Sequence, residues 1–202
     1  TSPRLLLMDE PLAALDGRSK TEILPFLERL HDQLSIPVIY ISHSPDEVIR
    51  LADHLVLMEE GKAIAHGAIE SLSTRLDLSL AHGEQASALI HARVESHDPH
   101  YHLTYLRFAG GRLSVAWRDL PAGHPVRVAL HAKDVSLTLD PPRRTSILNS
   151  FSARVIELSP EPPAQTLVRL DCNGAILLAR ITWKSAEQLS LKVGQSVYAQ
   201  IK

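Results

Sequence analysis

Residues Leu5–Asp16 read LLLMDEPLAALD. The run Leu5-Leu6-Leu7-Met8 has no polar alternation, so it predicts a strand covered on both faces, as in the parallel sheet of an α/β domain. Asp9 and Glu10 then stand at the carboxyl end of that strand. In open α/β sheets this edge is where ligands bind. A central parallel strand needs neighbours on both sides, and few residues precede this one. The expectation is therefore the back part of a larger α/β domain.

The pattern continues outward from there. Ile23, Leu24, Leu27, Leu30 and Leu34 recur at helical spacing. Pro25 inside that pattern predicts a kink or a late helix start. A second strand is expected at Pro37–Ser42 (PVIYIS). At Ser44–Glu47 (SPDE), a serine N-cap, a proline at the first helical position and a glutamate three residues after the cap predict a capping box. A third strand at His54–Met58 leads through Glu60-Gly61-Lys62 into a short return strand, Ala63–Ala65. A last helix is expected from Ala68 to about Leu76.

Beyond Gly83 the texture becomes β. Tyr101–Phe108 and Arg112–Trp117 flank Ala109-Gly110-Gly111, a hairpin signal. Val126–Leu139 alternates over much of its length, and Asp140–Arg144 (DPPRR) reads as a linker. Strand-like segments follow at Ser152–Leu158, Thr166–Asp171, Ala175–Thr182 and Ser196–Ile201. Short strands with frequent turns suggest OB-like barrels. The expected organisation is 1–80 (α/β), 84–142 (β-rich) and 145–202 (β module), the last two forming a degenerate pair of similar barrels.

Composition narrows the function classes. The 202 residues are 45% hydrophobic and 22% charged, with 21 basic against 23 acidic side chains. A net charge of -2 gives no electrostatic footprint for nucleic acid or an anionic membrane. Cys172 is the only cysteine, so an internal disulfide is excluded, as suits a reducing compartment. No apolar run approaches the ~18 residues of a membrane span. His91, His97, His100 and His102 cluster in sequence, yet without cysteines or regular helical spacing they read as solvated strand and loop residues rather than a metal site.

A strand ending in Asp-Glu suits phosphoryl chemistry. Asp9 would hold Mg²⁺ at nucleotide phosphates, and Glu10 would polarise the attacking water. LLLMDEPLAALD closely resembles the Walker B motif and D-loop of ABC-type transporter ATPases. YISHSPDEV (Tyr40–Val48) resembles their switch-histidine segment, and LADHLVLMEEGKAIAHG (Leu51–Gly67) the strand pair that closes their nucleotide-binding domain. The resemblance implies ATP and Mg²⁺ as cofactors, Asp9 on Mg²⁺, Glu10 as catalytic base, Asp16 at a homodimer interface and His43 on the γ-phosphate. Ser44 departs from the family's usual aspartate. No Gly-x-x-x-x-Gly-Lys-Ser/Thr loop occurs, and no LSGG-like signature. Gly61-Lys62 lacks the upstream glycine and the following hydroxyl. The expectation is a C-terminal piece of an ATPase, inactive alone for want of the N–H cradle that holds phosphates.

ARITWKSAEQLSLKVGQSVYAQIK (Ala179–Lys202) resembles the Mop or TOBE-like molybdate-binding module, and TSILN (Thr145–Asn149) resembles its start. Together the segments resemble the ATPase subunit of ABC-type molybdate importers. This implies transmembrane permease subunits and, indirectly, a periplasmic or extracellular molybdate-binding protein as partners. It also implies a peripheral position on the cytoplasmic face of the membrane. Molybdate is a tetrahedral dianion, bound by O–H and N–H donors and a cation. Ser146, Thr182, Ser185 and Lys202 are the candidates. Many such modules carry Arg where this chain has Leu148, and such sites commonly form between subunits. Two alternatives stay open: a related importer ATPase for sulfate, iron or a sugar, or a stand-alone oxyanion-binding regulatory module.

Overall fold

The computed structural model describes residues 3–33 and 36–202. The chain divides into two compact units, Thr1–Ile69 and Glu70–Lys202.

In the first unit, β1 (Leu6–Asp9), α1 (Gly17–Gln33) and β2 (Val38–Ile41) form a parallel strand–helix–strand unit. Leu6 pairs with Val38 and Asp9 with Ile41. α2 (Pro45–Leu51) follows, and then the hairpin of β3 (His54–Glu59) and β4 (Lys62–Ala68). Glu60 and Gly61 turn that hairpin with φ of +48° and +75°, the left-handed pair that suits a tight two-residue turn. A small core of Leu12, Leu24 and Leu51 is flanked by Ile23, Leu27 and Tyr40.

Two expectations for this unit need correction, and a third, a kink or a late helix start at Pro25, is narrowed. β1 is not covered on both faces: successive side chains point to opposite sides, and Leu5, Leu7, Ile39 and Ile41 are between 46% and 62% exposed. α1 begins at Gly17, ahead of Pro25, so there is no late start. Leu34 lies outside the described residues. The capping box does not form, because Ser44 makes no side-chain cap hydrogen bond and Glu47 turns inward instead.

Where a helix reaching Leu76 was expected, α3 spans only Ile69–Leu72. Ser73 and Thr74 follow it, and both hydroxyls donate back to the Glu70 carbonyl at 3.4 Å. Such bonds compete with continued helix.

The second unit is built on two antiparallel sheets. The first contains β5 (Ser87–Asp98), β6 (Leu103–Phe108), β7 (Gly111–Ala116) and β8 (Pro125–His131), in the order β7-β6-β5-β8. Then come β9 (Val135–Thr138), β10 (Asn149–Glu161), β11 (Gln165–Cys172), β12 (Ala175–Thr182), α4 (Trp183–Gln188) and β13 (Ser196–Ile201). The second sheet has the order β12-β11-β10-β13-β9.

The run Val126–Leu139 is thus two strands, not one. A 3₁₀ turn at Ala132–Asp134 breaks it, with Ala132 fully buried and its N–H on the Ala86 carbonyl at 2.8 Å. β8 stays in the first sheet while β9 pairs with β13 of the second. The two sheets also share one core, in which Ile90, Leu106, Phe108 and Leu113 join Phe151, Val155, Leu170 and Ala199. The boundary expected between two similar barrels is therefore crossed by both a strand and a core. The unit boundary falls between residues 69 and 70 rather than near 80.

Candidate functional site

Two clusters hold the side chains singled out from the sequence. The first stands at the carboxyl end of β1 and β2. Asp9 closes β1 and is exposed. Glu10 then takes φ +47°, a left-handed conformation that costs a residue with a Cβ on the order of 1–2 kcal/mol. Its N–H donates to the Ile41 carbonyl at 2.9 Å, and its carbonyl accepts from Ala13 at 3.1 Å. This turn swings the Glu10 side chain towards the segment after β2. There His43 Nδ1 lies 2.7 Å from Glu10 Oε1. Residues 33 positions apart in sequence thus meet at the edge of one parallel strand pair. His43 is 77% exposed and Glu10 35%, so the pair faces solvent.

Asp16 does not join them. It accepts from the Ser19 N–H at 2.8 Å at the start of α1, which is N-cap geometry. Those bonds to Ser19 hold its carboxyl below the usual carboxylate range.

Behind His43 stands a group that sequence reasoning assigned only to a cap. Glu47 is 2% exposed. It accepts from Lys20 Nζ at 2.8 Å, Tyr40 OH at 2.9 Å and Ser42 Oγ at 2.7 Å. Burial alone would raise its pKa, but these donors and the Lys20 charge outweigh that and lower it. Burial and the neighbouring Glu47 carboxylate push the Tyr40 phenol well upward.

The second cluster is split. Thr182 caps α4, accepting from the Ser185 N–H at 3.1 Å, with the two hydroxyl oxygens 2.8 Å apart. One hydroxyl hydrogen is used between them, which leaves the other to donate outward. Thr182 pairs with Gln165, which pairs with Glu161 at the end of β10. Ser146, Leu148 and Lys202 sit at the opposite end: Asn149 opens β10 and pairs with Ile201. The 13 residues of β10 lie between the two groups, about 40 Å of strand at 3.3 Å per residue. Within one chain the four expected oxyanion ligands do not converge.

Asn149 itself is absorbed structurally. Its side chain accepts from the Ser114 N–H at 2.7 Å and donates to the Ser114 carbonyl at 3.0 Å, filling a backbone position beside β7. The histidines of the middle segment are likewise dispersed. His91 binds Glu70, His97 lies between Thr104 and the Leu120 carbonyl, and His102 meets Trp117 edge-on. Among the described residues no group of His, Cys, Asp or Glu could hold a metal ion by itself, and no helix is long and apolar enough to cross a membrane.

Comparison with known proteins places both clusters in context. Residues 145–202 match the TOBE domain family. Over its whole length the chain is 56% identical to the molybdenum import ATP-binding protein ModC of Bordetella parapertussis, covering 56% of that protein. The same-named protein of Aromatoleum aromaticum is 55% identical, with 54% of its length covered. That of Hahella chejuensis is 52% identical, with 57% covered. The chain is homologous to these ATP-binding proteins throughout. It spans a little over half of their length.

Proposed function

We propose that this chain serves in the ATP-hydrolysing subunit of an importer that moves molybdate across the cytoplasmic membrane. The observation that carries the hydrolytic part is the 2.7 Å Glu10–His43 contact at the carboxyl end of a parallel strand pair. A carboxylate there, held by a left-handed turn, is placed to take up a proton from an attacking water. Glu10 occupies Nδ1 of His43, so Nε2 is the nitrogen available to a phosphate oxygen, as a donor when the ring carries its second proton.

Asp9 supplies one exposed hard-oxygen donor. That suits Mg²⁺, which is held by one or two carboxylates together with phosphates and waters rather than by an all-protein cage. When bound, the ion neutralises phosphate charge. In this reading the described residues contribute half of a nucleotide site and turn over no ATP alone, because they contain neither a phosphate loop nor a signature sequence. The subunit would act as a homodimer, with Asp16 beside the dimer contact. It would lie on the cytoplasmic face against transmembrane permease subunits, fed indirectly by an extracytoplasmic binding protein.

The oxyanion part rests on Ser146, Thr182, Ser185 and Lys202. A two-fold pairing of chains makes each surface meet its counterpart. Such a pairing can bring the Thr182–Ser185 end of one chain to the Ser146–Lys202 end of the other. Two copies then hold molybdate between them, which accounts for the split seen in one chain.

Calorimetry of the 202-residue chain with molybdate, tungstate and sulfate, alongside light scattering, tests this. Molybdate and tungstate are expected to bind alike and sulfate more weakly, with pairing of chains. Ser185→Ala is expected to cost about 1–3 kcal/mol if its hydroxyl donates to the ion. Leu148→Arg is expected to tighten binding by adding a charged fork. No heat with millimolar molybdate, in either the natural chain or Leu148→Arg, would overturn the cargo assignment.

A further inference from the structure

We infer that Glu47 is a positioning residue for His43, acting through Ser42. The hydrogen-bond chain is directional. The Ser42 hydroxyl has one hydrogen, and it donates to Glu47 Oε2 at 2.7 Å. That leaves the Ser42 oxygen to accept the Ser44 N–H at 3.1 Å. Ser42 and Ser44 flank His43, so the backbone is clamped on both sides of the histidine by one buried carboxylate. Tyr40 holds the same Oε2 at 2.9 Å, while Lys20 holds Oε1 at 2.8 Å from α1. β2, the first turn of α2 and α1 are thereby tied to a single point.

The exposure contrast gives the reason. His43 is 77% exposed, and no side-chain partner except Glu10 holds its ring among the bonds described for it. Packing does little to fix such a ring, so its backbone must be fixed instead. Burying a carboxylate is costly unless it is paired and hydrogen-bonded, and here the two bonds from Tyr40 and Ser42 that compensate Glu47 also restrain the segment carrying His43. The inference deepens the hydrolytic reading and rests on it only for its catalytic consequence. The geometric claim stands without nucleotide.

The test is nuclear magnetic resonance of the full 202-residue chain without nucleotide, so its outcome is separate from that of the ATPase reading. The readout is the nuclear Overhauser contact between the His43 ring C–H protons and the Glu10 methylene protons. Ser42→Ala removes the bridging hydroxyl and little else, and it is expected to abolish the contact while the amide spectrum stays folded. Glu47→Leu removes both acceptor oxygens at similar volume, and it is expected to do the same. Lys20→Met is the comparator: it removes a charge partner of Glu47 and lowers the melting temperature, but leaves the Ser42 link and the His43–Glu10 contact. Survival of the contact in folded Ser42→Ala would overturn the inference, even if Glu47→Leu fails to fold. So would equal loss of the contact in Lys20→Met, which would mean general loosening.

Discussion

At the scale of single residues, two carboxylate networks, one around buried Glu47 and one around part-buried Glu161, show what a sequence hides. SPDE at Ser44–Glu47 is a local pattern, and the local reading gives Glu47 to the helix cap. Its ion partner Lys20 is 27 positions away, and no spacing rule connects them. Glu161 was invisible altogether. It receives two bonds from Arg180, at 2.7 Å and 3.2 Å, and lies 2.9 Å from His82 Nδ1. Arg180 also donates to the Gly83 carbonyl at 2.8 Å. Burial opposes ionisation of Glu161, but Arg180 and His82 outweigh it, and the carboxyl stays below its usual range. The sign follows from linkage. A carboxylate with a lowered folded pKa adds stability above its unfolded value, near ~4.3, and loses it as pH falls through the folded value. Glu161→Gln is therefore expected to lower stability at pH 7 by about 2 kcal/mol, the scale of a charged hydrogen bond. The gap between natural and variant chains should close as the medium is acidified below the ordinary carboxylate range. Melting temperatures measured across that range check it, and a gap independent of pH would count against the charge argument.

At the scale of elements, what was legible depended on whether periodicity and turn chemistry were local. The β3–β4 turn and the β6–β7 hairpin were readable because glycines mark them. β5 was missed as an element although it is the inner strand joining β6 and β8. Its sequence ends in charged and histidine residues that read as loop. α4 was missed because six residues starting with a tryptophan, without a buried face, carry no helical period. The glycine pair at the β6–β7 turn has a reason that only packing reveals. A Cβ at Gly110 would stand 2.5 Å from the Phe108 ring and 2.6 Å from Cys172 Sγ. Cys172 is fully buried on β11, where burial raises its thiol pKa to about 11, so it acts there as an apolar wall. Gly110→Ala is expected to cost about 1–3 kcal/mol through overpacking. Adding Cys172→Ala should recover part of that loss, although alone it leaves a small void. A double-mutant cycle by denaturant unfolding measures the coupling, and strict additivity would mean that the clash is relieved elsewhere.

At the scale of the whole molecule, the family boundary and the physical boundary differ. The TOBE match begins at residue 145, a point that TSILN made legible in the sequence. The sheet containing that segment nevertheless has β9, Val135–Thr138, as its outer strand against β13. β9 precedes the linker that reads as a border, and long-range pairing leaves no local trace. Phe151, Val155 and Leu170 are buried against a core that includes Leu106, Phe108 and Leu113 from the other sheet. Phe108 and Phe151 meet edge to face with ring centres 5.1 Å apart. Asn149 adds its paired bonds to Ser114 across the same seam. Residues 145–202 alone would therefore expose one side of their core and the edge of β13, and small domains have little stability to spare. The expectation is that 70–202 unfolds in one cooperative step followed equally by far-ultraviolet circular dichroism and by tryptophan fluorescence, Trp117 and Trp183 lying in its two halves. Residues 145–202 alone should melt at lower temperature, bind hydrophobic dye or aggregate. Adding β9 back as 133–202 should recover the β13 edge but not the covering for Phe151, and so restore stability only in part. Two separate transitions in 70–202, or an isolated 145–202 as stable as the longer piece, would show that the shared core does not couple the two sheets.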